Sequence, residues 1–234
     1  MHPDPKLIED LVAANRILAQ HGVVDGYGHV SVRDPRDSNR YLMSRSLAPE
    51  LVTAADILEY DLDSNSVDAT GRSLYLERFI HGEIYKARPD VKAVVHNHSP
   101  SVIPFGVTTV PLRPLYHMSA FVGEGVPLFE IRKVGGMTDM LVRTPALGHA
   151  LAATLGGHPA ALMRGHGAVV VGPDLPITVA RSVYLEMNAK LQAQAIALGG
   201  SVTYLDPEEV HKVVARQDYQ RVWDVWRLNV LGNQ

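Results

Sequence analysis

The chain has 234 residues, a length typical of one α/β domain, and its formal net charge is −3 at pH 7. It contains no cysteine, which excludes disulfides and cysteine-bound metals, so any metal must be held by histidine, aspartate or glutamate. There is no cluster of basic residues for a phosphate backbone and no apolar run of the ~18 residues that a membrane span needs. We therefore expect neither nucleic acid nor a membrane as partner, and, since the first residues lack the pattern of a signal peptide, a cytoplasmic protein.

The first half of the chain alternates between helical and strand patterns. Asp4 and Pro5 can begin a helix whose apolar residues recur at helical spacing until Gly22 ends it. Residues 26–34, GYGHVSVRD, predict a glycine-rich turn and then a strand, because valines alternate with polar residues. A second helix is predicted over residues 76–87, and the apolar run VKAVVH after it predicts a strand buried in a sheet.

The second half begins with a segment, residues 99–144, that mixes short apolar runs with proline and glycine, and no element is assigned to it. The pattern then predicts a helix over Pro145–Leu155 and two strands in AALMRGHGAVVVG. A long helix follows between Asp174 and Gly199.

The last part of the chain, residues 207–231, is predicted to be one helical segment. Its predicted apolar side consists of Val213, Val214, Val222, Trp223 and Trp226. No internal repeat, low-complexity tract or linker interrupts the sequence. We therefore expect residues 1–234 to form a single α/β domain.

Two histidines follow the predicted strand VKAVVH in the tripeptide HNH. On an extended chain residues i and i+2 point to the same side, so His96 and His98 can reach one point and chelate a divalent cation. The alternative is a pair of strand-end histidines that hydrogen-bond to loops, and the two residues alone leave both interpretations open.

Two further motifs carry side chains that suit a metal site. Glu77 and His81 are four residues apart, on one face of the predicted helix, and a carboxylate there can complete a metal site or move a proton. The alternative for Glu77 is a surface pair with Arg78 or Lys86.

His166 lies between two glycines, which permit a close backbone approach and unusual φ angles. Its alternative is a turn histidine that the backbone satisfies. The other histidines without a partner at ligand spacing are predicted to be structural or exposed: His2, His21, His149, His158 and His211.

In this order, Glu77-x-x-x-His81, RPDVKAVVHNH and GHG resemble the class II aldolase/adducin family, and GHVSVRD is similar to that family's first glycine-rich loop and strand. The resemblance extends from the first helix to near Gly199. It implies an α/β/α sandwich around a mainly antiparallel, nine-stranded central sheet.

The resemblance also implies roles for individual residues. His96, His98 and His166 match the family's metal-binding histidines, and Glu77 matches an acidic residue that acts in proton transfer and can ligate the metal. The implied cofactor is one divalent ion, Mn²⁺ or Zn²⁺. Three histidines leave open coordination positions, as in catalytic sites.

Phosphate-binding aldolases of the family carry an asparagine in the first loop, a Thr-Pro-Ser/Thr-Gly loop and two serines before the glutamate. At these positions the present chain has Gly28 and His29, then Ser44, Arg45 and Ser46, then Tyr75 and Leu76. The two serine hydroxyls before the glutamate are replaced by a tyrosine and a leucine, so a phosphate would lose its donors there, whereas the planar guanidinium of Arg45 suits a carboxylate. The alternative for Arg45 is an ordinary surface arginine. The predicted substrate-binding residues are Gly28, His29, Ser44 and Arg45.

A catalytic tyrosine of the family is supplied across a subunit interface and aligns near Tyr116 and His117, so both are predicted to be catalytic together with Glu77. The resemblance thus implies a homo-oligomer, a tetramer with sites at its subunit interfaces.

Among the family's activities, these departures favour decarboxylation of a small carboxylic acid, namely a hydroxy-aromatic (pyridine) dicarboxylate. One alternative is an aldolase acting on an unphosphorylated sugar or hydroxy acid. Another is a non-catalytic, adducin-like interaction module, which would have no reason to keep three histidines and the glutamate.

Overall fold

The computed structural model describes residues 4–232 except 68 and 70. Among these residues, seven strands form one sheet in the order β3-β2-β1-β4-β7-β6-β5. The strands are β1 (His29–Arg33), β2 (Arg40–Ser44), β3 (Ile57–Asp61), β4 (Ala93–Asn97), β5 (Leu128–Phe129), β6 (Ala160–Met163) and β7 (Gly167–Gly172).

The sheet is mixed, because β5 and β6 are parallel while the other five neighbouring pairs are antiparallel. The prediction of nine strands in a mainly antiparallel sheet is therefore wrong. The physical reason lies in the segment 99–144, where prolines interrupt the chain and cannot donate to a strand ladder. Within it the described backbone forms the two-residue β5, short 3₁₀ turns at Ile103–Gly106 and His117–Val122, and a four-residue helix at Arg132–Gly135.

Helices cover both faces of the sheet, as the predicted sandwich requires. The helices are α1 (Pro5–Gln20), α2 (Phe79–Ala87), α3 (Arg132–Gly135), α4 (Pro145–Leu155), α5 (Leu175–Ala197), α6 (Pro207–Val214) and α7 (Gln220–Leu231). One core lies between the sheet and α1, α5 and α7, and a second lies between the sheet and α2 and α4. Val95 faces the first core and Val94 the second, because successive side chains of a strand point to opposite faces.

Three predicted helices are confirmed by their caps. The Asp4 carboxylate accepts from the Lys6 N–H before α1, and Gly22, at φ +66°, follows its end. Thr144 caps α4, and Asp174 caps α5 by accepting from Ile177 at 2.7 Å.

Two predicted helices differ from the structure. Residues 76–78 form a turn, so α2 begins only at Phe79, and Glu77 does not share a helical face with His81. The segment 207–231 is two helices rather than one. The stretch that separates them is held to the Met118 carbonyl, which accepts from the side chains of both Gln217 and Tyr219. Within that segment Trp223 is buried and Val222, Trp226 and Val213 are half-buried, but the predicted apolar Val214 is exposed.

The end of the described chain is tied to its beginning. Arg227 of α7 donates to Asp10 at 2.7 Å and also contacts Glu9, both on α1. Among the described residues, no helix is both long and apolar enough to cross a membrane.

Candidate metal centre

Four side chains converge at one end of β4 and β7. They are Glu77, His96, His98 and His166, and one potential ligand atom from each lies within 4.8 Å of the others. The Nε2 atoms of His98 and His166 are 3.1 Å apart, and Glu77 Oε2 lies 3.5 Å from Nε2 of both His96 and His166. The structure thus brings together the four residues that the family resemblance assigns to the metal.

Strand pairing positions the three histidines. His96 is on β4 opposite Val169 of the antiparallel β7, His98 follows two residues later on the same side, and His166 ends the turn that leads into β7. His96 Nδ1 lies 3.2 Å from the Ala168 carbonyl oxygen and must donate to it, because a carbonyl only accepts. The lone pair of Nε2 therefore faces the cluster, where this buried atom has no hydrogen-bond partner within the described chain.

The glycines around His166 have the role that the sequence predicts for them. Gly165 has φ +61°, which L side chains rarely adopt. A Cβ atom on Gly167 would lie 1.9 Å from the Asn97 carbonyl oxygen. Only glycine therefore lets β7 start against the backbone between His96 and His98.

We expect Gly167→Ala to lower the free energy of unfolding by at least about 2 kcal/mol, because overpacking typically costs about 1–3 kcal/mol and here the obstacle is backbone. Equilibrium urea unfolding measures this effect. The matched control is Gly157→Ala, since a Cβ atom there meets nothing within 4 Å. Equal stability of the two variants would contradict the close approach at Gly167.

The electrostatics of the cluster favour an ionised Glu77 and a neutral His98. Burial alone raises the pKa of Glu77, but His96 and His166 outweigh this and hold that pKa well below its ordinary value. Burial, with His96 and His166 adding to it, lowers the pKa of His98 to about 4. The Val142 N–H also donates to Glu77 Oε1 at 2.8 Å and so fixes the carboxylate of this residue, which lies in the turn before α2.

This donor set fits a divalent cation. Imidazole nitrogens suit Zn²⁺, carboxylate oxygens suit Mn²⁺, and a mixed set is compatible with either. The buried Nε2 of His96 gains a partner when a cation is bound, which removes the cost of an unsatisfied buried nitrogen.

A cavity of about 330 Å³ opens beside the cluster. Its lining includes Gly28, His29, Ser46, Tyr75, Glu77 and His98. A larger cavity of about 570 Å³ shares no residue with the metal cluster. We take the smaller cavity as the candidate substrate site because it alone of these two contacts the predicted ligands.

Of the predicted substrate-binding residues, two line this cavity and two do not. Gly28, at φ +88°, lets the chain pass close to the His96 carbonyl. His29, the first residue of β1, then lies opposite His96 of β4. Ser44 is buried with its hydroxyl 3.2 Å from that of Tyr75, and Arg45 pairs through Nε with Asp56 at 2.7 Å. Substrate binding by these four residues stays a prediction.

The structure does not bring Tyr116 or His117 to the cavity lining. His117 is exposed at the start of a 3₁₀ turn. The hydroxyl of Tyr116 is buried with no partner among the described residues, and burial raises the pKa of this tyrosine. Their catalytic role from across a subunit interface stays a prediction.

His81 belongs to a polar row that the sequence interpretation missed. Its ring is fully buried, with Nε2 2.6 Å from His29 Nδ1 and Nδ1 2.6 Å from Ser31 Oγ. Burial lowers the pKa of His81 to about 3. Burial also lowers the pKa of His29, and the neighbouring His81 and His96 lower it further. The signal was present in the alternation of His29 and Ser31 on β1 and the spacing of four between His81 and Tyr85 on α2.

A sheet covered by helices on both faces, with a histidine–glutamate cluster beside a cavity, is an architecture suited to a metal-dependent enzyme. Residues 9–193 match the family model described as Class II Aldolase and Adducin N-terminal domain. The chain belongs to the class II aldolase/adducin family.

Similar proteins include several whose names state an activity. The chain is 35% identical over 244 residues to "Decarboxylase tropJ" of Talaromyces stipitatus, covering 94% of this chain and 92% of that protein. It is 29% identical over 217 residues to a 3,4-dihydroxyphthalate decarboxylase of Arthrobacter keyseri, covering 86% and 84%. Among solved structures, L-fuculose 1-phosphate aldolase from Glaciozyma antarctica superposes with a TM-score of 0.81 at 26% identity, covering 98% of this chain and 90% of that one.

Proposed function

We propose that this protein is a divalent-metal-dependent decarboxylase of a hydroxylated aromatic acid that carries a second carboxylate. The observation that carries the proposal is the convergence of three histidines and Glu77 beside a cavity. The similarity of nearly the whole chain to a protein named as a decarboxylase supports this reaction over others of the family. The 3,4-dihydroxyphthalate decarboxylase supports an aromatic substrate.

The metal would be held by His96, His98 and His166, and when bound it would stabilise the negative charge that develops as carbon dioxide leaves. In the reaction the bond between the ring carbon and the carboxylate breaks, and its electron pair stays on the ring carbon. Glu77, fixed by the Val142 N–H, passes a proton from water to this carbon to form the new C–H bond. The products are carbon dioxide, an acid with one carboxylate fewer and the hydroxide left from the water.

The lining of the cavity suits a flat ring better than a sugar phosphate. Its volume of about 330 Å³ is at the lower end of small-molecule sites, and Leu47, Tyr75 and Leu141 provide apolar surface. The Tyr75 hydroxyl donates to the Leu47 carbonyl oxygen at 2.6 Å, so its hydrogen is not available to a phosphate. The exposed Leu76 next to it offers no side-chain donor.

For the substrate we propose 3-hydroxy-2-methylpyridine-4,5-dicarboxylate, a member of the hydroxy-aromatic (pyridine) dicarboxylates that the sequence favours. In it a hydroxyl lies next to one carboxylate, and a second carboxylate remains after the first leaves. 3,4-Dihydroxyphthalate has the same arrangement on a benzene ring. The two acids differ in the ring nitrogen and in the group beside the hydroxyl, a methyl in the first and a second hydroxyl in the other, so together they test which kind of ring the site accepts.

The test is release of carbon dioxide by the Mn²⁺- or Zn²⁺-loaded protein from each of these two acids, with L-fuculose 1-phosphate as control. We expect stoichiometric carbon dioxide and the monocarboxylate from at least one acid, and no cleavage of the sugar phosphate. Cleavage of the sugar phosphate without carbon dioxide from either acid would overturn the proposal in favour of an aldolase.

The predicted role of Arg45 has its own test. Nε of Arg45 binds Asp56, and a guanidinium has four further N–H donors for a second carboxylate. The KM ratio is KM for a dicarboxylate divided by KM for its monocarboxylate analogue. We expect Arg45→Met to raise this ratio by about tenfold to a hundredfold, because a charge-assisted hydrogen-bonded pair is lost. The control Asp56→Asn removes the carboxylate charge of the ion pair while Arg45 stays in place, and it should leave the KM ratio unchanged. Equal ratios in both variants would exclude Arg45 from substrate binding.

A further inference from the structure

A row of four buried polar side chains leads from the core under α2 to the substrate cavity. The Tyr85 hydroxyl lies 2.7 Å from Ser31 Oγ, Ser31 Oγ lies 2.6 Å from His81 Nδ1, and His81 Nε2 lies 2.6 Å from His29 Nδ1. None of the four is more than 3% exposed. His29, the last of the row, lines the cavity beside the metal cluster.

We propose that this row fixes His29 as the tautomer protonated at Nε2 and presents that N–H to the cavity as a hydrogen-bond donor to a carboxylate or phenolic oxygen of the substrate. His81, Ser31 and Tyr85 are then positioning residues. The identity of the accepted oxygen rests on the proposed function, whereas the tautomer does not.

The direction of the hydrogen bonds follows from the end of the row. In one direction Tyr85 donates to Ser31, Ser31 donates to His81 Nδ1, and His81 Nε2–H donates to His29 Nδ1, so that every buried hydrogen has an acceptor. In the reverse direction the Tyr85 hydroxyl hydrogen has no acceptor, since Ser31 is its hydrogen-bond partner within residues 4–67, 69 and 71–232. A buried unmatched donor pays the full desolvation penalty, so the first direction is favoured.

The ring of His29 is held in place on both sides. Its centroid lies 4.5 Å from that of the Tyr75 ring and 5.1 Å from that of the His96 ring. His29 and His96 are also directly paired between β1 and β4. With Nδ1 used by His81, Nε2 is the nitrogen left for the cavity. A fixed donor next to the metal ligands lies where the reacting part of a bound acid must lie, and it complements a negatively charged oxygen.

The tautomer is measured by ¹⁵N NMR of histidine-labelled, Zn²⁺-loaded protein, with His29 assigned by its loss in His29→Gln. We expect a protonated Nε2 and an unprotonated Nδ1 at His29 in the wild type. In Tyr85→Phe the constraint on direction is gone, and we expect the His29 signals to move toward a mixture. The matched control is Tyr41→Phe, a buried tyrosine of the same core that donates to Ser64 instead. A wild-type His29 protonated at Nδ1 would overturn the proposal.

The donor role is measured by calorimetric binding of 3,4-dihydroxybenzoate, the product expected from 3,4-dihydroxyphthalate, to the same protein. We expect His29→Phe to weaken binding by about tenfold to a hundredfold, the loss of a hydrogen bond to a charged group. Tyr85→Phe should weaken it by about two- to tenfold and Tyr41→Phe should not. Unchanged affinity in His29→Phe would overturn the donor role. Absence of binding by the wild type would contradict the donor role and the proposed function together, while the NMR result would still decide the tautomer.

Discussion

Replacement of His98 by alanine is expected to abolish both metal binding and release of carbon dioxide. His98 supplies one of three imidazole nitrogens, and its Nε2 lies 3.1 Å from that of His166. With two histidines and one carboxylate left, the site loses a donor at the side that faces the cavity. Metal content after gel filtration, measured by mass spectrometry, and the initial rate of carbon dioxide release together check this expectation.

The control for this variant is His149→Ala. The side chain of His149 is 76% exposed and near Glu83, outside the metal cluster. It should keep one metal per chain and the wild-type rate. A His98→Ala protein that retains both would show that the cluster is not the metal site.

Glu77→Gln is expected to keep the metal and the fold but to lose about 10²- to 10⁴-fold in kcat, the usual value of general acid–base assistance. The amide oxygen of glutamine can still accept from the Val142 N–H, so the turn is preserved, but an amide cannot carry the proton to the ring carbon. Steady-state kinetics with metal-saturated protein measures the effect.

The control for Glu77 is Glu130→Gln. Glu130 is bound by Arg132 and Arg164 and is absent from both the cluster and the cavity lining. It should leave kcat unchanged. A Glu77→Gln enzyme within a few-fold of wild type would mean that another group delivers the proton.

Local spacing predicted only part of the cluster, and the family resemblance joined Glu77 and His166 to it. His96 and His98 lie at the end of an apolar strand, where the period of two places both rings on one side. The glycines around His166 signalled a close backbone approach, and the structure places Gly167 against Asn97. The layers of the fold were also predictable, since helix caps and strand runs are local patterns.

The remainder depends on contacts between elements that are distant in sequence. The bond from His81 to His29 requires α2 to pack on β1, and sequence spacing instead suggested a helical pair with Glu77. The partner of Arg45 is Asp56, which a 3₁₀ turn brings back eleven residues later. The strand number was carried over from the family, whereas in this chain the prolines of residues 99–144 prevent further strands in the described part.

The central claim, metal-dependent decarboxylation at the histidine–glutamate cluster, is tested most directly by one titration. Protein stripped of metal by a chelator is mixed with the hydroxy-aromatic dicarboxylate that the wild type accepts, and carbon dioxide release is followed as Mn²⁺ or Zn²⁺ is added back. We predict no measurable rate without metal and a linear rise that reaches a plateau at one ion per chain. A stripped protein, verified to contain no metal, that still releases carbon dioxide at the full rate would contradict the account.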